Sequence, residues 1–185
     1  MSLYYQLIHD IFSSNDCKLL IKKAEKKNFY EDNQKEITYI KNEKIANDIF
    51  EDIKNKIPQT FNGFKIKGIS PKLKFIKFNE KVSFEPEKIE SIYNKNLKNV
   101  LGLFIFLNND FYKGDIQLIN SKKNIQYSAS PIVGTGLLFD LNYKFEHNSI
   151  TNGTKYVLYC ELLITNEIIN TINPDILYNV LQTNL

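Results

Sequence analysis

The sequence predicts an α+β domain in which two amphipathic helices precede a run of strands and pack on one face of an antiparallel sheet or sandwich. Three observations predict it. Apolar residues at helical spacing are confined to the first 57 residues and a short terminal segment. Beyond them, short apolar runs alternate with polar residues between turns rich in Gly, Asn, Asp and Pro. The length, 185 residues, suits one domain, and a chain of this size buries roughly two thirds of its unfolded surface without staples.

Residues 4–11 alternate and are rich in aromatic and β-branched side chains, which predicts a strand. Ser13, Ser14, Asn15 and Asp16 offer N-cap chemistry for a helix running to about Lys27. Its apolar positions are Cys17, Leu20, Ile21 and Ala24, and its lysines fall late, where the helix dipole favours cations. A short strand at 36–40 follows, then a second amphipathic helix over 42–57, with Ile45, Ala46, Ile49, Phe50, Ile53 and Ile57 on one face and Pro58 ending it. Strands are predicted at 64–67, 73–78, 100–107, 115–119, 125–128, 136–141 and 155–164. The run 100–107 is apolar almost throughout, as suits a strand buried on both faces. A short helix over 175–181 follows Pro174. One domain over 1–185 then has three parts: helical support (1–60), a β core (61–165) and a terminal tail or helix (166–185).

Composition excludes several classes. Net charge is +3 and the isoelectric point about 8.6, well short of a nucleic-acid-binding signal. The lysine pairs 22–23, 26–27 and 122–123 lack the interleaved aromatics of a nucleic-acid platform and read as polar faces. No apolar run reaches the ~18 residues of a membrane span, and residues 1–10 do not form a signal peptide. Cys17 and Cys160 are not in a CxxC pair and read as reduced, buried thiols. The sequon Asn152-Gly153-Thr154 reads as a turn. An intracellular, reducing compartment, the cytoplasm, is expected. Lys, Asn and Ile are abundant and all 24 basic residues are lysines, a bias that an AT-rich genome imposes. A virus, a protist or an AT-rich bacterium would fit, with the host cytoplasm as the compartment if viral. Any basic anchor for an anion must therefore be Lys, without the bidentate fork of Arg.

Four segments, in order, resemble the prolyl 4-hydroxylase-like branch of the iron/2-oxoglutarate dioxygenases. Ile8-His-Asp-Ile-Phe12 with Cys17 and Leu19-Leu20-Ile21 resembles the entry strand and first helix. LGLFIFLNNDFYKG, 101–114, is similar to the long core strand and its "Leu-Asn-x-x-Phe-x-Gly-Gly". Pro131-Ile-Val-Gly134-Thr-Gly-Leu-Leu-Phe139 is similar to "Pro-x-x-Gly-x-x-x-x-Phe", and Gly153-Thr-Lys155-Tyr-Val-Leu158 to "Gly-x-Lys-Tyr-x-Leu". The resemblance implies a double-stranded β-helix (jelly-roll) core with the N-terminal helices packed against one sheet.

It also implies where iron and 2-oxoglutarate would be held. The iron of this family needs two His and one carboxylate, leaving positions open for co-substrate and oxygen. Phe84 matches the aromatic preceding the family's His-x-Asp, which places the first His at Glu87 and the Asp at Ile89. The second His falls ten residues before the motif Lys, at Phe145. Phe and Ile offer no lone pair, so no metal and no catalytic residue is expected. Lys155 matches the lysine that holds the distal carboxylate of 2-oxoglutarate; its simpler reading is a solvent-facing strand lysine. His147, two residues beyond the mapped position, is the alternative weak ligand, with Glu85 or Glu87 beside it; otherwise it is a surface or satisfied histidine. His9 reads as structural within the entry strand, and Glu85, Glu87 and Glu90 around Pro86 as a solvated loop.

Three functions remain open. The leading one is a catalytically inactive relative of these hydroxylases, without cofactor, that acts by binding a protein or peptide. The second is an active Fe(II)/2-oxoglutarate-dependent dioxygenase with a rearranged site using His147 and a Glu. The third is an unrelated β-sandwich interaction module. Neither nucleic acid nor membrane is indicated as a partner.

Overall fold

The computed structural model describes residues 4–80, 86–89, 101–120, 122 and 124–168. Helix α1 (Ser14–Glu25) opens on a reciprocal cap. The Ser13 hydroxyl accepts from the Asp16 N–H at 3.2 Å, and the Asp16 carboxylate accepts from the Ser13 N–H at 3.2 Å. Cys17, Leu20 and Ala24 are buried, as the periodicity predicts, and Lys22 and Lys23 occupy the last turn. Helix α2 (Glu43–Ile53) is capped by Asn42, whose Oδ1 accepts from the Ile45 N–H at 2.9 Å. It is shorter than the spacing predicts. Pro58 disfavours helical backbone at Ile57, and the chain tightens at once, the Lys56 N–H donating to the Ile53 carbonyl at 2.7 Å.

The strands are β1 (Tyr5–Ile8), β2 (Tyr30–Asp32), β3 (Lys35–Lys41), β4 (Thr60–Phe61), β5 (Phe64–Ile69), β6 (Lys72–Phe78), β7 (Leu101–Phe106), β8 (Tyr112–Lys113), β9 (Ile116–Ile119), β10 (Ile125–Ala129), β11 (Gly136–Asp140), β12 (Lys144–His147), β13 (Ile150–Thr151) and β14 (Lys155–Ile168). The sequence does not predict β2, β4, β8, β12 or β13. It predicts β1 three residues too long at its end. The segment 175–181 and residues Phe84, Glu85 and Glu90 lie outside the described residues.

The large sheet runs β1-β11-β7-β14-β6-β3-β2, with β5 added along the far end of β14 and β4 beyond it. A second sheet runs β10-β9-β12. It gains a fourth member at 86–89, where Glu87 bridges Phe145 in antiparallel fashion. Four strands of the large sheet, β6-β14-β7-β11, thus face the three of the small one and the bridged segment 86–89. The first 60 residues supply both helices but also β1, β2 and β3, which extend the large sheet at its two edges.

The apolar code of β7 and β14 makes two cores. Leu101, Leu103 and Ile105 of β7, with Leu158, Cys160 and Leu162 of β14, meet the helices through Cys17, Leu20, Ile49 and Ile53. Phe104, Phe106, Val157 and Tyr159 point the other way and pack on Ile116, Leu118 and Phe145 of the small sheet. Gly134 fastens the entry of α1 to the turn before β11. Its carbonyl accepts from the Ile11 N–H at 2.9 Å, its φ is +76°, and a Cβ there would stand 1.9 Å from the Phe12 carbonyl oxygen. Among the described residues no helix is long and apolar enough to cross a membrane.

Candidate functional site

The polar chemistry of the interior gathers at one end of the space between the sheets. Strand β12 alternates outward and inward, so Phe145 and His147 both point inside. Pairing with β9 sets Phe145 beside Leu118 and His147 beside Ile116. On the other flank, Glu87 and Phe145 exchange both backbone hydrogen bonds at 2.9 Å. Ile89 follows on the same segment and packs against the inter-sheet core.

Lys155 reaches in from the large sheet, opposite Phe78, and is 1% exposed. Its Nζ donates to the Gly114 carbonyl at 2.6 Å and lies 3.1 Å from His147 Nδ1. It also lies 5.1 Å from the centre of the Phe78 ring, a cation–π distance. The His147 ring rests on the same phenylalanine, with centroids 4.3 Å apart. Gly114 can present its carbonyl this way because its φ is +87°, and a Cβ would meet the Ile150 side chain at 2.6 Å.

Burial sets the charges. It draws the Lys155 ammonium down to about 7, with the Asp115 carboxylate pulling the other way. It holds His147 well below the ordinary imidazole value, assisted by the neighbouring charges of Lys155 and Lys35. Lys155 Nζ and His147 Nδ1 share one hydrogen bond, whose direction is set by the histidine tautomer. Lys35, 4% exposed at the start of β3, forms an ion pair with Glu87. The Glu87 carboxylate is thus held by a lysine of the opposite sheet. A second buried polar pair lies further along β14, where the Tyr159 hydroxyl donates to Glu161 at 3.2 Å.

No family model and no curated protein matches the sequence. Solved structures match the backbone closely. A viral collagen prolyl hydroxylase from Paramecium bursaria Chlorella virus 1, in complex with 2OG, superposes with a TM-score of 0.62 over 89% of this chain and 97% of its own, at 13% identity. A Pseudomonas putida prolyl 4-hydroxylase gives 0.62 over 87% and 92% of the two chains, at 10% identity. A Trichoplax adhaerens prolyl hydroxylase, in complex with a hypoxia inducible factor oxygen degradation domain peptide fragment, gives 0.63 over 86% and 83%, at 11% identity. The fold is that of the prolyl 4-hydroxylase-like 2OG-Fe(II) oxygenases.

Within that fold the positions singled out in the sequence lie near one another. Glu87 and Phe145 are neighbours in the small sheet, Ile89 borders the same core, and Lys155 touches His147, whose ring centroid is 5.4 Å from that of Phe145. Lys155 is not the solvent-facing lysine of its simpler reading: an odd position on β14 faces inward. His147 is an interior histidine, 2% exposed with its Nδ1 against Lys155 Nζ, and not a surface one. His9 corrects the reading as part of the entry strand: β1 stops at Ile8, and His9 is exposed, its carbonyl accepting from Lys56 Nζ at 3.0 Å. Cys17 and Cys160 are free and buried, and burial drives both thiols upward, Cys17 to about 11.

Sequence reasoning missed Lys35. A lysine opening a strand reads as polar edge, and only the return of the chain at 86–89 gives it a buried partner. Among the described residues no group of three or more His, Cys, Asp or Glu side chains is placed to share a metal ion. The donors nearest the mapped positions are already engaged, Glu87 by Lys35 and His147 Nδ1 by Lys155.

Proposed function

We propose that this protein is a catalytically inactive form of the prolyl-hydroxylase-like oxygenase fold and acts by binding another protein. The observation that carries the reading is the Lys35–Glu87 ion pair beside Phe145. Ferrous iron in this fold needs two imidazoles and a carboxylate on one open face. Here the three mapped positions provide one carboxylate, held by an ammonium, and two apolar side chains. These residues do not fit the metal. The Glu87 carboxylate is paired with the Lys35 ammonium, and the phenyl ring of Phe145 offers no lone pair where an imidazole would.

The co-substrate anchor fits no better. Lys155 Nζ donates to the Gly114 carbonyl and is also engaged by His147 Nδ1. A dicarboxylate would have to displace these contacts without the chelation that iron supplies. Protein binding is the use of the fold that asks for no metal, and the Trichoplax enzyme of the same fold was solved with a peptide fragment.

The test is thermal unfolding and succinate production with Fe(II) and 2-oxoglutarate under reducing conditions. The expected result is an unchanged melting temperature and no succinate above the protein-free blank. A ligand at 100 times its dissociation constant adds about 2.7 kcal/mol, which for a chain of this size raises Tm by roughly 5–10 °C. A rise of that order with succinate formation would favour the rearranged site built on His147 and Glu87.

A further inference from the structure

Outside the barrel, on the face away from Lys155 and His147, the two helices leave a cleft of about 390 Å³ between them. Its floor is apolar, made by Phe12, Leu20 and Ile45. Leu19 stands at its side, 55% exposed. The rim carries three carboxylates, Asp16 of α1 and Asp48 and Asp52 of α2, against one lysine, Lys23. The lining residues sum to a charge of −2 in a chain of net charge +3, with the Asp16 carboxylate also engaged by Ser13 in the cap of α1.

Helix geometry makes the cleft continuous. Positions 16, 19, 20 and 23 form one stripe of α1, and 45, 48 and 52 one stripe of α2, each at spacings of three and four. An apolar trough with acidic walls complements an amphipathic helix that presents leucine-like anchors flanked by Lys or Arg. Asp48 is shared with Lys44 at 2.8 Å, but both side chains are exposed, and such a pair is readily exchanged for a partner's cation.

We propose that the α1/α2 cleft docks a basic amphipathic helical segment of a partner protein. This rests on the protein-binding reading and gives it a surface. The probe is a fluorescein-labelled 14-residue peptide made of two Leu-Lys-Lys-Leu-Leu-Lys-Leu heptads, titrated with the full chain and followed by anisotropy. Saturable binding is expected, weakened at least tenfold by Leu19→Asp and by the double change Asp48→Lys/Asp52→Lys, and weakened by raising the salt concentration. A peptide with Glu at every Lys position is expected not to bind. All substituted residues are exposed or rim positions, and each variant's melting curve verifies folding; Asp52→Asn is a milder second variant with a smaller loss. The proposal is overturned by absence of saturable binding, by equal binding of the Glu peptide, or by binding indifferent to these substitutions. It is also overturned if sedimentation shows a dimer that Leu19→Asp dissolves, because the cleft then serves a second copy. Failure here with no succinate formed removes the cleft alone; succinate formation removes the inactive reading whatever the peptide does.

Discussion

Glu87 and Lys35 are unequal partners, and the inequality has a measurable consequence. Lys35 is 4% exposed and Glu87 30%. Removing the carboxylate leaves an ammonium buried, whereas removing the ammonium leaves a carboxylate that reaches water. Glu87→Gln is therefore expected to cost about 3 kcal/mol and Lys35→Met about 1 kcal/mol. Urea unfolding of the two variants checks the order; equal losses, or a larger loss for Lys35→Met, would contradict it. Lys155 gives a second residue-scale test. Its folded pKa, about 7, lies below the ordinary 10.5, so between those values the unfolded chain binds more protons than the folded one. Lys155 therefore makes stability rise with pH from about 7 to 10.5, and lowers it below 7. His147, depressed below 6.5, adds a fall in stability as pH drops beneath 6.5. Comparing wild type with Lys155→Met from pH 6 to 10 isolates the lysine: the variant is expected to lack the rise above pH 7. Parallel pH profiles would mean that Lys155 is not buried as described.

At the scale of elements, the turn before β11 and the entry to α1 act as one unit through Gly134. Gly134→Ala places a Cβ 1.9 Å from the Phe12 carbonyl oxygen at a positive φ. The expected loss is about 3 kcal/mol, read from chemical denaturation; a loss under 1 kcal/mol would show that the two segments are not held together there. The helices and long strands were legible because their signals are local. Ser13 and Asn42 mark the helix starts, and β6 and β7 carry their apolar pattern over six or seven residues. Strand β12 was not legible. Its four residues, Lys-Phe-Glu-His, hold one apolar side chain, and its inward histidine is polar. The strand forms because β9 and 86–89 supply hydrogen-bond partners on both sides. That pairing is a non-local fact. The same holds for β8 and β13, two residues each, which find one another across the loop preceding Lys155.

Across the whole molecule, the backbone is similar to that of the prolyl hydroxylases at 10–13% identity. β7 and β14 send one set of side chains to the helices and the other to the small sheet, a pattern that two-residue alternation encodes locally. The candidate site is legible only in part for the same reason. The motif around Lys155 located one inward side chain, and the spacing from it located Phe145. The partnership of Lys35 with Glu87 joins residues 52 positions apart in the chain, which no local pattern announces.

The most direct measurement is anaerobic equilibrium dialysis of the full chain against Fe(II) with 2-oxoglutarate, with bound iron counted by mass spectrometry. Iron far below one per chain, unchanged by the co-substrate, is the expected result. Near-stoichiometric iron that is lost in Glu87→Gln or His147→Ala would contradict the account.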